Sequence, residues 1–196
     1  MGMELTHRFE EALQYALDVH RNQLRKGSET PYISHLLAVA ALVLEDGGDE
    51  DQAIAALLHD APEDQGGLQV LEEIRQRFGE RVAGIVHGCT DTYQSPKPPW
   101  RERKEAYLEH LIHASPEVRR VSLADKLHNA RSILTDLLRS GDAVWERFNG
   151  GREGTFWYYR RLLEIFRNVD ESPLVVELGW VMERIEKVAA RFDHEI

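Results

Sequence analysis

A chain of 196 residues, 42% apolar and 30% charged, can bury one substantial core and is short for two ordinary domains, so one compact unit over residues 1–196 is expected. Its net charge of −10 argues against general binding to nucleic-acid polymers, which rests on dense Lys/Arg, and no apolar run reaches the roughly 18 residues of a membrane span. Cys89 is the single cysteine, which excludes an internal disulfide and thiolate-rich metal clusters and suits a small buried apolar residue. No basic start or apolar stretch follows Met1, so no signal peptide is visible and a cytoplasmic setting is expected.

Phe9, Leu13, Ala16, Leu17, His20 and Leu24 recur at three- and four-residue spacing, which predicts a helix from Thr6 to about Leu24. His20 on that stripe reads as a hydrogen-bonded core residue. Arg21, Arg25 and Lys26 fit either the C-terminal carbonyls of the helix or a phosphate or base. Gly27–Pro31 is a turn with Thr30 as N-cap and Pro31 as first helical residue, opening a helix from Tyr32 to about Leu44. Ile33, Leu36, Leu37, Ala40 and Leu44 mark one apolar face, yet Val39, Leu42 and Val43 make the other side apolar too. His35 therefore points into protein and needs a polar partner.

The next helix ends in Ala53–Leu58 followed by His59-Asp60, two costly groups held at a core edge where a soluble protein would place aliphatic residues. Ala61-Pro62 disfavours simple continuation. If a turn of helix does follow, Asp60 shares a side with Asp64, and His59 with Glu63, and a cation or solvent must relieve the crowding. Further helices are predicted from Leu68 to Phe78, Glu80 to about Thr90 and Arg101 to about His113, with a proline-rich surface loop at Asp91–Trp100. Ser115-Pro116 starts a long helix in which Asp125 follows Val118 and Val121 on an apolar stripe, with Asn129 one turn on. Beyond Ser140, glycines punctuate a loop region in which Trp145, Phe148 and Phe156–Tyr159 form an aromatic cluster that reads mainly as core, and two last helices, about Glu153–Arg167 and Pro173–Arg191, finish the chain. Nothing alternates like a strand, and the fold class is all-α.

His35, His59, Asp60 and Asp125 lie on three different helices and offer mixed nitrogen and oxygen donors. Such a set suits Mn²⁺, Fe²⁺, Ni²⁺ or Zn²⁺, and an ion there would serve phosphate hydrolysis. The alternative is that His59-Asp60 caps a helix while His35 and Asp125 pair elsewhere.

The order His35, His59-Asp60, Asp125 resembles the HD superfamily of metal-dependent phosphohydrolases. Within it, Arg25-Lys26 with Thr30–His35, Leu57–Asp60 with Glu63-Asp64, and Leu123–Asn129 resemble the hydrolase domain of Rel/SpoT proteins, in size the stand-alone small alarmone hydrolases. The resemblance implies a helical HD bundle with its motif-bearing core at about residues 6–135 and added C-terminal helices at about 142–191. It implies His35, His59, Asp60 and Asp125 as ligands of a divalent metal, usually Mn²⁺. It further implies Glu63 and Asp64 as the catalytic pair, Arg25 and Lys26 beside the base, and Asn129 near the ribose. The expected reaction removes pyrophosphate from the 3′ position of guanosine 3′,5′-bis(diphosphate). Other readings are an HD nucleotidase or phosphatase for another small nucleotide, such as an adenosine alarmone or a deoxynucleotide, and a non-catalytic nucleotide sensor. The partner expected throughout is a small nucleotide, with neither nucleic-acid polymer nor membrane.

Overall fold

A computed structural model describes residues 4–94 and 96–192. Among the described residues the secondary structure is ten α-helices and one 3-10 turn, so the protein is all-α. In chain order the helices are α1 (His7–Val19), α2 (Ile33–Glu45), α3 (Glu50–Leu58), α4 (Ala61–Gln65), α5 (Gly67–Phe78), α6 (Glu80–Cys89) and α7 (Trp100–His113). There follow α8 (Pro116–Ser140), the 3-10 turn Gly141–Arg147, α9 (Gly151–Val169) and α10 (Pro173–Phe192).

The chain gathers into two compact units. One runs to Pro98 and takes in Ala114–Asp125; the other holds Pro99–His113 and the chain from Lys126 onward. The chain thus passes between them three times, the last time inside α8.

The first unit is built around α3. Asp49 caps it by accepting a hydrogen bond from the Gln52 N–H at 3.1 Å, and Ala53 to Leu58 are wholly buried. A helix apolar all round must be covered on every side, and α1, α2 and α6 pack on it. In α2 the buried residues are His35, Leu36, Val39, Ala40, Leu42 and Val43, while Leu37 is 45% exposed. The covered side is therefore the one that contains His35, and Leu37 is not part of it.

Two expectations fail between α1 and α2. The first helix stops at Val19, not Leu24, because the chain turns back on itself in an isolated bridge between Leu24 and Pro31. The Arg25 N–H donates to Thr30 O at 2.8 Å, the Tyr32 N–H donates to Gln23 O at 2.9 Å, and Gly27 takes φ 76, a conformation that favours glycine. Thr30 is thereby drawn into the bridge and does not cap α2, whose N-cap is Tyr32 with no side-chain hydrogen bond. Leu17 and Leu24, expected on the buried stripe, are 40% and 51% exposed.

The start of α8 is held by two features. A Cβ on Gly88 would meet Val118 Cγ2 at 2.5 Å, so only glycine admits this approach of α6 and α8. Arg120 donates from Nε to Asp46 at 2.9 Å and from Nη1 to Gln52 at 2.7 Å, tying α8 to the end of α2 and the start of α3. Cys89 is half-buried, with Sγ 3.9 Å from Val118 O and 3.7 Å from Ser122 Oγ, and is not the enclosed apolar residue its solitary status suggested.

In the second unit Phe156, Tyr158, Tyr159, Leu162 and Phe166 of α9 are buried, with α7 and α10 packed on that helix. Most of the aromatic cluster is therefore core, as expected, with Trp157 only half-buried.

Replacing Arg120 by Leu should destabilise the protein by about 1–3 kcal/mol, because Asp46 and Gln52 lose a partner they share in a poorly hydrated place. Urea unfolding measures it; an unchanged midpoint would show that the tie is not needed to seat α8.

Candidate metal centre

His35 enters from the first turn of α2, His59 and Asp60 from the seam between α3 and α4, and Asp125 from α8. The seam follows from Pro62, which has no N–H to return to the carbonyl of Leu58, so the helical ladder is broken just after the pair. A new turn then starts: the Asp64 N–H donates to Asp60 O at 3.0 Å, and Pro62 sits among the first residues of α4.

The four side chains converge. His35 Nε2 lies 3.2 Å from Asp125 Oδ1 and 3.6 Å from Asp60 Oδ2; His59 Nε2 lies 3.0 Å from Asp60 Oδ2 and 3.7 Å from Asp125 Oδ1. The side chains of His35, His59 and Asp125 are 1%, 2% and 8% exposed, and Asp60 is 23% exposed. One donor atom from each of His35, His59 and Asp125 lies within 4.8 Å of the others, close enough to share one ion.

The fit to a cation can be tested on His59. Its Nδ1 lies 2.8 Å from the carbonyl of Ala56, which can only accept, so Nδ1 carries the proton. In the neutral ring Nε2 is then a buried lone pair facing carboxylate oxygens. That is repulsive unless a proton or a metal ion stands between them, and the donor set suits a divalent ion. Without a metal, the proton is what the site takes. Burial alone would push the His59 imidazole down, but Asp60 and Asp125 outweigh it and hold it well above its ordinary value. Burial likewise works to raise Asp60, and the rings of His59 and His35 hold it well below the carboxylate range.

Tyr32, expected from the sequence only as the start of a helix and part of the Thr30–His35 stretch, is built into the centre. Its hydroxyl donates to Asp60 Oδ2 at 2.6 Å, and its ring stacks on His20 and meets the edge of His35 at centroid distances of 5.2 and 5.6 Å. Burial first, then the negative charge of Asp60, pushes the phenol far above its ordinary value, so it remains a donor.

Glu63 and Asp64 follow on α4 in different surroundings. Glu63 accepts from Lys97 Nζ at 2.8 Å and from the Asp91 N–H at 3.2 Å. Asp64 accepts from Gln23 Nε2 at 2.7 Å. Asp64 keeps contact with solvent, yet the protein packed around it, then Asp60 and Glu63, push its carboxyl above the ordinary range. Arg25 lies over the Tyr32 ring, 5.7 Å from its centroid; Lys26 is exposed beside it, and Arg21 pairs with Asp18. Asn129 is half-buried in α8 in the other unit. Lys97 was not found by sequence reasoning, although it is the one cation between Thr90 and Pro99.

Residues 12–156 match the family model described as an HD domain. The chain belongs to the HD-domain family. Over 126 residues this HD protein is 44% identical to the guanosine-3′,5′-bis(diphosphate) 3′-pyrophosphohydrolase MESH1 of Xenopus tropicalis, covering 63% of this chain and 68% of the relative. The human MESH1 is 40% identical over 136 residues, covering 68% and 73%. An Aquifex aeolicus protein of the same enzyme name is 40% identical over 125 residues, 62% of this chain but 17% of that much longer one. A solved structure described as a metazoan ortholog of SpoT that hydrolyzes ppGpp superposes with a TM-score of 0.76 at 28% identity, covering 93% of this chain and 98% of that one. These relatives bear out the resemblance to stand-alone alarmone hydrolases. No helix among the described residues is long and apolar enough to cross a membrane.

The two shifted groups set a pH dependence for protein stripped of divalent ions. The raised His59 contributes stability that is complete below its unfolded value near 6.5 and is lost as pH rises through its folded value; the lowered Asp60 contributes stability above its unfolded value near 3.8 that is lost as pH falls through its folded one. With chelator present, the urea midpoint should therefore decline on the alkaline side of neutrality, and added Mn²⁺ should abolish the decline by taking the proton's place. A midpoint flat with pH in chelator would contradict the account of His59.

Proposed function

We propose that this HD-domain protein is a divalent-metal-dependent hydrolase that removes the 3′-pyrophosphate of guanosine 3′,5′-bis(diphosphate)-type nucleotides in the cytoplasm. The observation that carries the reading is the buried meeting of two imidazole nitrogens with two carboxylates, with the Glu63-Asp64 pair directly after it in the chain. The enzyme name shared by relatives at 40–44% identity supports the substrate. We take the chain as one functional HD-type domain, because α8 runs unbroken from one unit into the other.

In this reading His35, His59, Asp60 and Asp125 hold the ion, with Mn²⁺ the first choice and Fe²⁺, Ni²⁺ and Zn²⁺ the alternatives. A divalent ion there polarises a phosphoryl oxygen and makes water a better nucleophile near neutral pH. Glu63 is tied to a cation and a backbone N–H and is suited, as carboxylate, to accept a hydrogen bond from the attacking water. Asp64, pushed up, is suited to hold a proton and give it to the departing sugar oxygen. Water adds to the phosphorus attached to the ribose 3′ oxygen, the bond from that phosphorus to the sugar oxygen breaks, and the oxygen leaves as a hydroxyl with pyrophosphate as the second product. Arg25 and Lys26 contact base or phosphate, and Asn129 the ribose.

Phosphorus NMR of the reaction with guanosine 3′,5′-bis(diphosphate) should show pyrophosphate as the released product. Orthophosphate alone, from this and every other nucleotide tried, would move the protein to the nucleotidase class. Alanine at His35, His59, Asp60 or Asp125 should lower both metal content and turnover, and full metal occupancy in Asp125→Ala would remove Asp125 from the ligand set. Glu63→Gln with Asp64→Asn should retain metal while turnover falls by roughly 100-fold or more.

A further inference from the structure

Asp64 has a support that neither the motif nor the reaction assigns. Gln23 lies in the segment between α1 and the Leu24–Pro31 bridge, and its Nε2 donates to Asp64 Oδ2 at 2.7 Å. The other end of the same amide is occupied twice: Gln23 Oε1 is 2.6 Å from His20 Nδ1 and accepts from Gln65 Nε2 at 2.7 Å. The backbone is fixed as well, since Gln23 O accepts the Tyr32 N–H at 2.9 Å.

These contacts define one direction for every proton. An ionised Asp64 can only accept, so the amide must present its NH₂ to it; Gln23 Oε1 then faces His20, whose Nδ1 must carry the hydrogen. His20 is 3% exposed, its Nε2 is buried without a hydrogen bond, and its ring stacks on Tyr32 with planes 23° apart. A buried ring clamped on one face has little freedom to turn, so it is a rigid peg for an otherwise mobile glutamine.

We infer that Gln23, locked by His20, is a positioning residue that holds the Asp64 carboxylate in its working orientation. The inference rests on the role given to Asp64 in the proposed function. A flexible carboxylate on a five-residue helix has several rotamers, and an N–H donor fixed in space selects the one in which Oδ2 faces Gln23 and Oδ1 is left for water or the leaving oxygen. The arrangement also places a neutral donor, and not a second cation, on the member of the pair that must be able to take up a proton. His20 and Gln23 stand three residues apart just past the end of α1, so one short stretch of chain supplies both the donor to Asp64 and the ring that holds that donor.

The test is a double-mutant cycle on turnover with the nucleotide that the wild-type protein hydrolyses. Gln23→Met keeps length and removes the amide; it should lower kcat about tenfold with KM little changed, and leave metal content and melting temperature as they were. In the Asp64→Asn background the same change should alter kcat less than twofold, because Gln23 acts only through Asp64. His20→Phe preserves the stack on Tyr32 without the donor and should reproduce the loss, whereas His20→Asn, which returns an N–H near the place of Nδ1, should recover part of it. Equal losses from Gln23→Met in both backgrounds, or no loss in either, would overturn the inference. An arm independent of turnover is ¹⁵N NMR of His20, which should report the Nδ1–H tautomer. The Nε2–H tautomer would overturn the inference even if no substrate were found, while pyrophosphate release by the wild type alone decides the reading on which it rests.

Discussion

Two imidazole nitrogens, each within 4 Å of an oxygen of both carboxylates in a nearly dry place, form the constraint on which the first unit depends. In its neutral form His59 can present only a lone pair there, because its other nitrogen is committed to Ala56, and lone pair against carboxylate is unfavourable. The site must therefore hold positive charge, either a proton on the ring or an ion between ring and carboxylates. That need explains why an otherwise apolar core tolerates His35, His59 and Asp125 at exposures below one tenth. It also explains the effort spent on seating α8. Arg120 and the Gly88–Val118 approach act near the start of that helix, and Asp125 can meet the histidines only if those turns lie in one place.

Tyr32 modifies this centre. The oxygen of Asp60 that faces both histidines is the same one that accepts the Tyr32 hydroxyl, so its lone pairs are shared among a donor and whatever lies between the rings. Hydrogen bonding to a ligating carboxylate fixes its direction and reduces its basicity. Burial and then the charge of Asp60 push the phenol far above its ordinary value, so it stays a donor, and Arg25 over the ring and His20 stacked on it hold the ring in place. A single side chain of the Leu24–Pro31 bridge region thus links the surface cations to the interior.

The parts of this arrangement that could be read from the sequence are those that break a pattern. His35 and Asp125 are polar residues on apolar stripes, and His59-Asp60 end an apolar run, so each declares itself as a buried group in need of a partner; the helices that carry them follow from three- and four-residue spacing. Leu37 shows the limit, because a helix apolar on two sides does not say which side is covered. What could not be read depends on long-range backbone geometry. Thr30 looks like a helix cap until its carbonyl is claimed by Arg25, and Gln23 looks like a surface residue until that bridge brings it to Asp64. Lys97 sits in a proline-rich loop with no periodicity, and only the path of that loop back over α4 gives it Glu63 as partner. The division into two units, with a boundary inside α8, has no counterpart in composition or spacing at all.

Glu63 and Asp64 are neighbours in sequence and differ by one methylene, so any difference in their chemistry must come from what surrounds them. Glu63 is given a full positive charge and a backbone donor. Asp64 is given a neutral amide and stands near two negative groups, one of them Glu63 itself. Lys97 is hydrogen-bonded to only one of the pair, while the protein packed around the other, Asp64, and then the charges of Asp60 and Glu63 push its carboxyl above the ordinary range. Two residues of nearly equal intrinsic acidity can then serve opposite ends of one hydrolysis, one accepting from water and one donating to the oxygen that leaves. In the proposed reaction the contacts that tell the two carboxylates apart come from Lys97 and Gln23, residues that lie far apart in the chain and belong to neither half of the Glu-Asp motif.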